Sequence, residues 1–323
     1  MKSEFNREDL QKLYIPPVDS HKGQNGKLMV IGGSHLFHAA SLWSLTAASR
    51  IVDMVFYSSI PENNEIVQNA KEEFRNGIVV RRDQLDAYIE ESDVILIGPG
   101  MPRAEGQEAG DDDTKELTER LLKQYPRKKW VIDGGSLQVI DPRVIPANAI
   151  LTPHQGEFDM LFSGVILEAK PIESHSEEIL PTSRQGGSRS LPLQDDMVSE
   201  MAKEYNCIIL LKGPTDIVCS PTECISIPGG NAGMTKGGTG DVLAGLVAGL
   251  ACKNDPFLAT TAGSYINKKA GESLEKTMGL NFNASDLASE IPMVMQKLLM
   301  TEGDPESHSA SSEPERSRTA SSG

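Results

Sequence analysis

The hydrophobic pattern of this chain is a series of short apolar runs separated by longer stretches with helical spacing. The runs KLMVIGG, MVFYSS, DVILIGPG, KWVIDGG, NAILTP, CIILLKG and DIVCS have strand length, and most are solid instead of alternating. Solid runs are expected of parallel strands buried on both faces. Their alternation with helices predicts a single three-layer α/β/α domain around a mostly parallel central sheet. DIVCS is followed directly by ECISIPGG, which predicts a local hairpin with Pro221 starting its turn. Glycines gather at the carboxyl ends of the runs, at Gly32 and Gly33, Gly98 and Gly100, Gly134 and Gly135, and Gly213. Ligands of open α/β sheets bind outside those ends, so the turns converge on one crevice.

Two segments depart from the pattern. Residues 163–192 are rich in Ser, Glu, Pro and Gly with no sustained period, and are expected to form a mobile surface insertion. Residues 301–323 are dominated by Ser, Glu and Arg with no aromatic residue, the composition of a disordered tail. The expected division is a lead segment over 1–19, a domain over 20–300 that carries the insertion, and a tail over 301–323.

Composition narrows the function. The net charge of -15 speaks against nucleic acid or an anionic membrane as partner, because both are recognised through concentrated Lys and Arg. No run approaches the roughly 18 apolar residues of a membrane span, and the polar start MKSEFNREDLQKL lacks the apolar core of a signal peptide, so a cytoplasmic protein is expected. Cys207, Cys219, Cys224 and Cys252 are too few and too irregularly spaced for a disulfide framework or a CxxC zinc site, and are expected to be small buried hydrophobes.

The strongest chemical signal is GGNAGMTKGGTGDVLAGLVAGLACK at 229–253, where a glycine-rich loop runs into a helix of small and apolar residues. Gly237, Gly238, Thr239 and Gly240 can turn several backbone N–H groups toward one point at the positive end of the helix dipole, which makes an anion hole. Asp241 beside it is placed to take a proton from an attacking hydroxyl. The plainer alternative is an acidic helix start after a flexible glycine turn. The loop is neither GxxxxGK[ST] nor GxGxxG after a strand, and IGGSH at 31–35 carries only two glycines.

GGTGDVLAG, with Asn231 and Gly233 upstream, resembles the signature of the ribokinase-like superfamily, and specifically of the ADP/ATP-dependent NAD(P)H-hydrate dehydratases. HKGQNGKLMVIGGS at 21–34, GPG at 98–100, VIDGGSL at 131–137, LTPHQGEF at 151–158 and LKGPTDIV at 211–218 fall in that family's order. The resemblance covers about residues 20–295. It implies a ribokinase-like fold and an enzyme that restores NADH and NADPH from their hydrated forms. The ring hydroxyl is phosphorylated by ATP or ADP with Mg2+, and phosphate is then eliminated. The companion epimerase domain fused upstream in many members has no room here, so dehydration alone is expected.

The same resemblance implies residue roles. Asp241 would be the base, and the amides of Gly238, Thr239 and Gly240 the anion hole. Lys212, Gly213, Pro214, Thr215, Asp216 and Gly240 would contact the nucleotide. Ala40, Gly100, His154 and Asp241 would contact the hydrated dinucleotide, and Glu157 would order magnesium through water. Family members often form symmetric assemblies, which implies a homo-oligomer. Two departures stand out: glycines follow Asp133 where the family usually has an acidic pair with alanine between, and GPGMP lacks the further glycine common after GPG. The competing readings are a vitamin-precursor kinase acting on a hydroxymethylpyrimidine or hydroxyethylthiazole alcohol, and a non-catalytic nucleotide-binding protein.

Overall fold

The computed structural model describes residues 3–70, 77–103, 107–168 and 191–300. Ten strands form one sheet: β1 (Ser3–Glu4), β2 (Lys27–Ile31), β3 (Met54–Ser58), β4 (Gly77–Val79), β5 (Val94–Ile97), β6 (Lys129–Ile132), β7 (Ile150–Leu151), β8 (Ile208–Leu211), β9 (Thr215–Cys219) and β10 (Cys224–Pro228). Their spatial order is β1-β10-β9-β8-β7-β6-β5-β2-β3-β4. Pairing is parallel from β8 through to β4, and antiparallel only at β8–β9 and β9–β10. The chain steps outward from β2 to β3 and β4, then returns to place β5 on the other side of β2. That reversal is the kind of point where open α/β sheets hold ligands.

The solid apolar runs follow from helical cover on both faces. Leu28 and Val30 of β2, Val94 and Leu96 of β5, and Ile208 and Leu210 of β8 join one core. The alternate residues Met29 and Ile31, Ile95 and Ile97, and Ile209 and Leu211 join the other. Period-two geometry sends neighbours to opposite faces, so both parities must be apolar. The first core is closed by α1 (His38–Ala48), α8 (Thr239–Ala251), α9 (Pro256–Met278) and α10 (Ala284–Leu299). The second lies under α3 (Leu85–Glu91), α4 (Thr114–Gln124), α6 (Gln155–Glu168) and α7 (Leu191–Glu204). The remaining helices, α2 (Pro61–Asn69) and the single turn α5 (Gly134–Leu137), follow β3 and β6.

The N-terminal segment is built into the same body. Ser3 and Glu4 pair in parallel with Ile225 and Ser226, Phe5, Leu10 and Leu13 are buried in the first core, and the Tyr14 amide donates to Asn254 Oδ1 at 2.7 Å. Of the expected insertion at 163–192, the first residues continue α6 to Glu168 and the last begin α7 at Leu191; the rest, and the expected tail at 301–323, lie outside the described residues.

The cysteine expectation needs correction at one pair. The hairpin read from DIVCS and ECISIPGG is present, and its register sets Cys224 directly across from Cys219 with Cα atoms 4.1 Å apart, joined as a disulfide. Spacing along the chain matches no CxxC pattern; the two meet because an antiparallel turn folds one strand back on the other. Cys207 and Cys252 are buried free thiols, as expected, and burial pushes Cys207 up to about 12.

Candidate active site

The carboxyl ends of β2, β5, β6, β7 and β8 and the N-terminus of α8 meet at one crevice. Two cavities occupy it, of about 770 and 540 Å³. His154, Lys212 and Gly240 line both, so they form the junction between them.

The junction arises from strand pairing carried past the sheet. The Lys212 amide donates to the Pro153 carbonyl at 2.8 Å, and His154 and Lys212 form an isolated parallel bridge. Glycine lets the backbone pass close by on the next strand: Gly98 has φ +115°, and a Cβ there would sit 1.9 Å from the Asp133 carbonyl oxygen. Asp133, which ends β6, is buried among these turns. Its Oδ1 accepts from Lys212 Nζ at 2.9 Å and from the Thr152 hydroxyl at 2.7 Å.

His154 and Glu157 hold the start of α6 reciprocally. The His154 amide donates to Glu157 Oε2 at 2.9 Å, and the Glu157 amide donates to His154 Nδ1 at 3.2 Å. This is a capping box with imidazole in the place of a hydroxyl. It leaves Nδ1 unprotonated and the proton on Nε2. Glu157 Oε1 accepts from Gln138 Nε2 at 3.2 Å, and Oε2 lies 3.8 Å from Lys212 Nζ.

The N-terminus of α8 faces the same point. Gly238 is its N-cap in the left-handed region at φ +93°, and a Cβ there would lie 2.3 Å from Trp43. No side chain caps the helix. Among the described residues the amides of Gly238 and Gly240 make no hydrogen bond to protein, which leaves them for a ligand. Thr239 differs from the other two expected anion-hole residues. Its amide reaches the Lys236 carbonyl at 3.4 Å, and its hydroxyl donates to the carbonyls of Met234 and Lys236 at 2.6 and 2.9 Å. Thr239 therefore shapes the loop.

Asp241 stands in the first turn of α8, with its carbonyl fixed by the Ser44 hydroxyl at 2.8 Å. Burial is the main cause raising its pKa, Asp133 adds to it, Lys212 opposes it, and the carboxyl is pushed up to about 7. Burial also works against the Lys212 ammonium, yet Asp133, Glu157 and Asp241 outweigh that and hold it above the usual lysine value. Three carboxyl groups share one ammonium here, and Asp241, held well above the usual carboxylate range, can take up and give up a proton near neutrality.

The expected positions separate as follows. Ala40, Gly100, Glu157 and Asp241 are on the smaller cavity. Gly213, Pro214, Asp216 and Thr239 are on the larger one. Thr215 is exposed and on neither wall. Asp216 is engaged on both oxygens: Oδ1 accepts from the Gly213 amide at 2.9 Å and pairs with Lys268 at 3.2 Å, and Oδ2 accepts from Ser264 at 2.7 Å. It shapes the 213–216 turn. Lys268, buried on α9, also donates to the carbonyls of Gly213, Pro214 and Gly229 at 3.0, 3.2 and 3.2 Å. Asp133 and Lys268 were not among the expected site residues. An acid ending an apolar strand is a readable signal for Asp133, whereas a lysine inside a helix carries none for Lys268.

A three-layer, mostly parallel α/β fold with a glycine-led helix start and an acid at the sheet's crevice defines the ribokinase-like class. Residues 28–293 match the family model described as NAD(P)H-hydrate dehydratase, and the chain belongs to that family. It is 34% identical over 305 residues to the ADP-dependent (S)-NAD(P)H-hydrate dehydratase of Nitrosopumilus maritimus, covering 89% of this chain and 95% of that protein. It is 31% identical over 305 residues to the enzyme of the same name from Cenarchaeum symbiosum, covering 90% and 96%. Among solved structures, the ADP/ATP-dependent NAD(P)H-hydrate dehydratase from Bacillus subtilis, co-crystallised with ATP and Mg2+, superposes with a TM-score of 0.71 at 21% identity, covering 92% of this chain and 99% of that one. This last likeness bears on the fold.

Proposed function

We propose that this protein dehydrates hydrated NADH and NADPH at the expense of ADP or ATP, with Asp241 as base. The observation that carries the reading is a half-buried carboxyl on the smaller cavity, with its pKa raised to about 7, beside the free amides of Gly238 and Gly240. Family membership supports it over the vitamin-precursor kinase alternative. The nucleotide occupies the larger cavity and the hydrated ring enters the smaller one. Asp241 takes the proton of the ring hydroxyl as its oxygen attacks the terminal phosphorus of the donor. The amides of Gly238 and Gly240 hold the transferring phosphoryl group, where charge gathers. The ring oxygen then leaves as phosphate and a ring proton is lost, restoring the double bond and turning ADP into AMP, or ATP into ADP.

Glu157 already accepts from the His154 amide and Gln138 and lies beside Lys212, and among the described residues no group of three His, Cys, Asp or Glu could hold a metal. Direct coordination by protein side chains does not fit. Magnesium keeps several waters and is carried on substrate phosphates in many sites, so Glu157 would reach the ion through water. We further place the protein in the cytoplasm, as a homo-oligomer with no nucleic-acid or membrane partner. Among the described residues no helix is long and apolar enough to cross a membrane.

The test is an assay on hydrated NADH with ADP and ATP in turn. Return of reduced-nicotinamide absorbance with matched release of inorganic phosphate is expected. A stable phosphate ester formed on a hydroxyethylthiazole or hydroxymethylpyrimidine alcohol, with hydrated NADH untouched, would overturn the reading.

A further inference from the structure

The segment between β2 and α1 walls the smaller cavity without being packed in place. Leu36, Phe37 and His38 line that cavity, yet Leu36 and Phe37 are 55% and 45% exposed, so burial of their side chains does not fix the segment. Polar contacts hold it instead. The Ser34 carbonyl accepts from Asn63 Nδ2 at 3.1 Å, and the Ser34 hydroxyl accepts from the Phe37 amide at 3.0 Å. His35 is held by Asp111, whose Oδ1 accepts from the His35 amide at 3.0 Å and from the ring Nδ1 at 2.8 Å. A carboxylate oxygen only accepts, so Nδ1 carries the proton. Glu62 Oε2 lies 3.5 Å from the other ring nitrogen.

Asp111 is a fixed post for this contact. Its side chain is buried, its Oδ2 accepts from the Glu108 amide at 2.9 Å, and its own amide donates to the Glu108 carbonyl at 3.1 Å. Gly110 closes that turn at φ +97°, and a Cβ there would lie 3.3 Å from Cε1 of His35. The two acids that follow are tied to other elements. Asp112 takes the Arg82 guanidinium in two bonds at 3.0 and 2.7 Å, and Asp113 caps α4 by accepting from the Glu116 amide at 2.9 Å. Three consecutive acids thus join the 34–38 segment to the loop after β4 and to the start of α4. A carboxylate that takes an amide and a ring N–H together fixes direction as well as position. Neither His35 nor Asp111 lines a cavity, so the pair can act on a ligand only through the segment it holds.

We propose that His35 is a positioning residue for the hydrated ring, holding the 34–38 segment on the wall of the smaller cavity through Asp111. This rests on the reading that the ring enters that cavity. The test compares His35→Ala, Asp111→Ala and His35→Asn, because asparagine can place a side-chain N–H where Nδ1 stands. In both alanine variants the backbone amides of 34–40 should exchange with deuterium about tenfold faster, read by mass spectrometry, while peptides from β5 and α8 exchange as in the parent. KM for hydrated NADH should rise about five- to twentyfold, with kcat and KM for ADP within about twofold of the parent, the pattern of lost uniform binding. His35→Asn should return both readouts to within about twofold of the parent. Unchanged exchange in the alanine variants would show that the pair holds nothing, and quickened exchange with KM for hydrated NADH unmoved would show that the segment does not position the ring. Either result overturns the proposal, as does His35→Asn behaving like His35→Ala. A parent that leaves hydrated NADH untouched overturns the functional reading instead; the exchange comparison needs no substrate and still decides whether His35 and Asp111 hold the segment.

Discussion

The two sides of the crevice treat their charges in opposite ways. On the side of the larger cavity, Lys268 and Asp216 are buried and each is fully engaged, the ammonium by three carbonyls and a carboxylate, the carboxylate by an amide, a hydroxyl and the ammonium. On the side of the smaller cavity, Asp133, Glu157 and Asp241 compete for Lys212, and Asp241 is left with its pKa raised to about 7. A satisfied buried pair builds a wall, because removing either member strands the other charge. An under-compensated group can exchange a proton at neutral pH, which is what a general base requires.

The sharpest way to break this contrast is Asp241→Asn. Turnover should fall by about 10² to 10⁴, while ADP still binds and the melting temperature holds or rises. The sign follows from the raised pKa: the folded protein favours the protonated acid, so burying the ionised form destabilises progressively above pH about 4 and fully above about 7. Asparagine removes that charge. Turnover within a few fold of the parent would remove Asp241 from the mechanism. Lys268→Met attacks the opposite side. It leaves Asp216 buried and unpaired, and such losses cost about 3 to 5 kcal/mol. Urea denaturation should show the loss, and a stability change below about 1 kcal/mol would show the wall does not depend on this ammonium.

Two smaller effects sharpen the contrast. Lys212 lines both cavities and is the counter-charge of the acid cluster, so Lys212→Ala should weaken ADP and the hydrated dinucleotide alike, by about ten- to a hundred-fold. His154→Ala should weaken the dinucleotide by about tenfold at most, since the imidazole is exposed and one of its nitrogens is engaged in capping α6. Titrating each ligand separately decides; loss of ADP alone in Lys212→Ala would return this lysine to a purely nucleotide role. For pH, kcat/KM should fall below an apparent pKa near 7 as Asp241 takes up its proton. Asp133→Asn deletes a like charge, so the falling limb should move to lower pH. A limb that moves upward, or not at all, would mean that Asp133 does not act on Asp241.

Much of this was legible in the sequence because the relevant signals are local. Solid apolar runs mark strands covered on both sides, glycines mark the turns at their ends, and GGTGD marks the helix start that faces the crevice. What escaped depends on the third dimension. Lys268 lies in the interior of a long helix, where neither spacing nor neighbours announce that α9 passes behind the larger cavity. Asp216 and Thr239 stand in the right motifs, yet each turns its side chain into the loop it belongs to. Lys212 is legible as a strand-end lysine, but its place among three acids depends on β6 and β7 ending beside it.

The smallest effect concerns the disulfide at the far end of the hairpin that borders the larger cavity. Cys219 and Cys224 join β9 to β10, whose other ends carry Asp216 and lead into Gly229, both on the larger cavity. The bridge closes a sequence separation of only 5, for which chain entropy supplies about 2 kcal/mol at most. The strands are already tied by the ladder between them, and β10 is held further by β1, so much of that constraint exists without the sulfur bond. Reduction, or Cys224→Ser, should therefore lower the melting temperature by a few degrees. The ammonium of Lys268 fixes the cavity end of the hairpin independently, through Gly213, Pro214 and Gly229, so KM for ADP and turnover should stay within about twofold. An ADP KM that rises severalfold on reduction, with Lys268 intact, would show that the distant bridge and not the buried lysine sets the position of the wall.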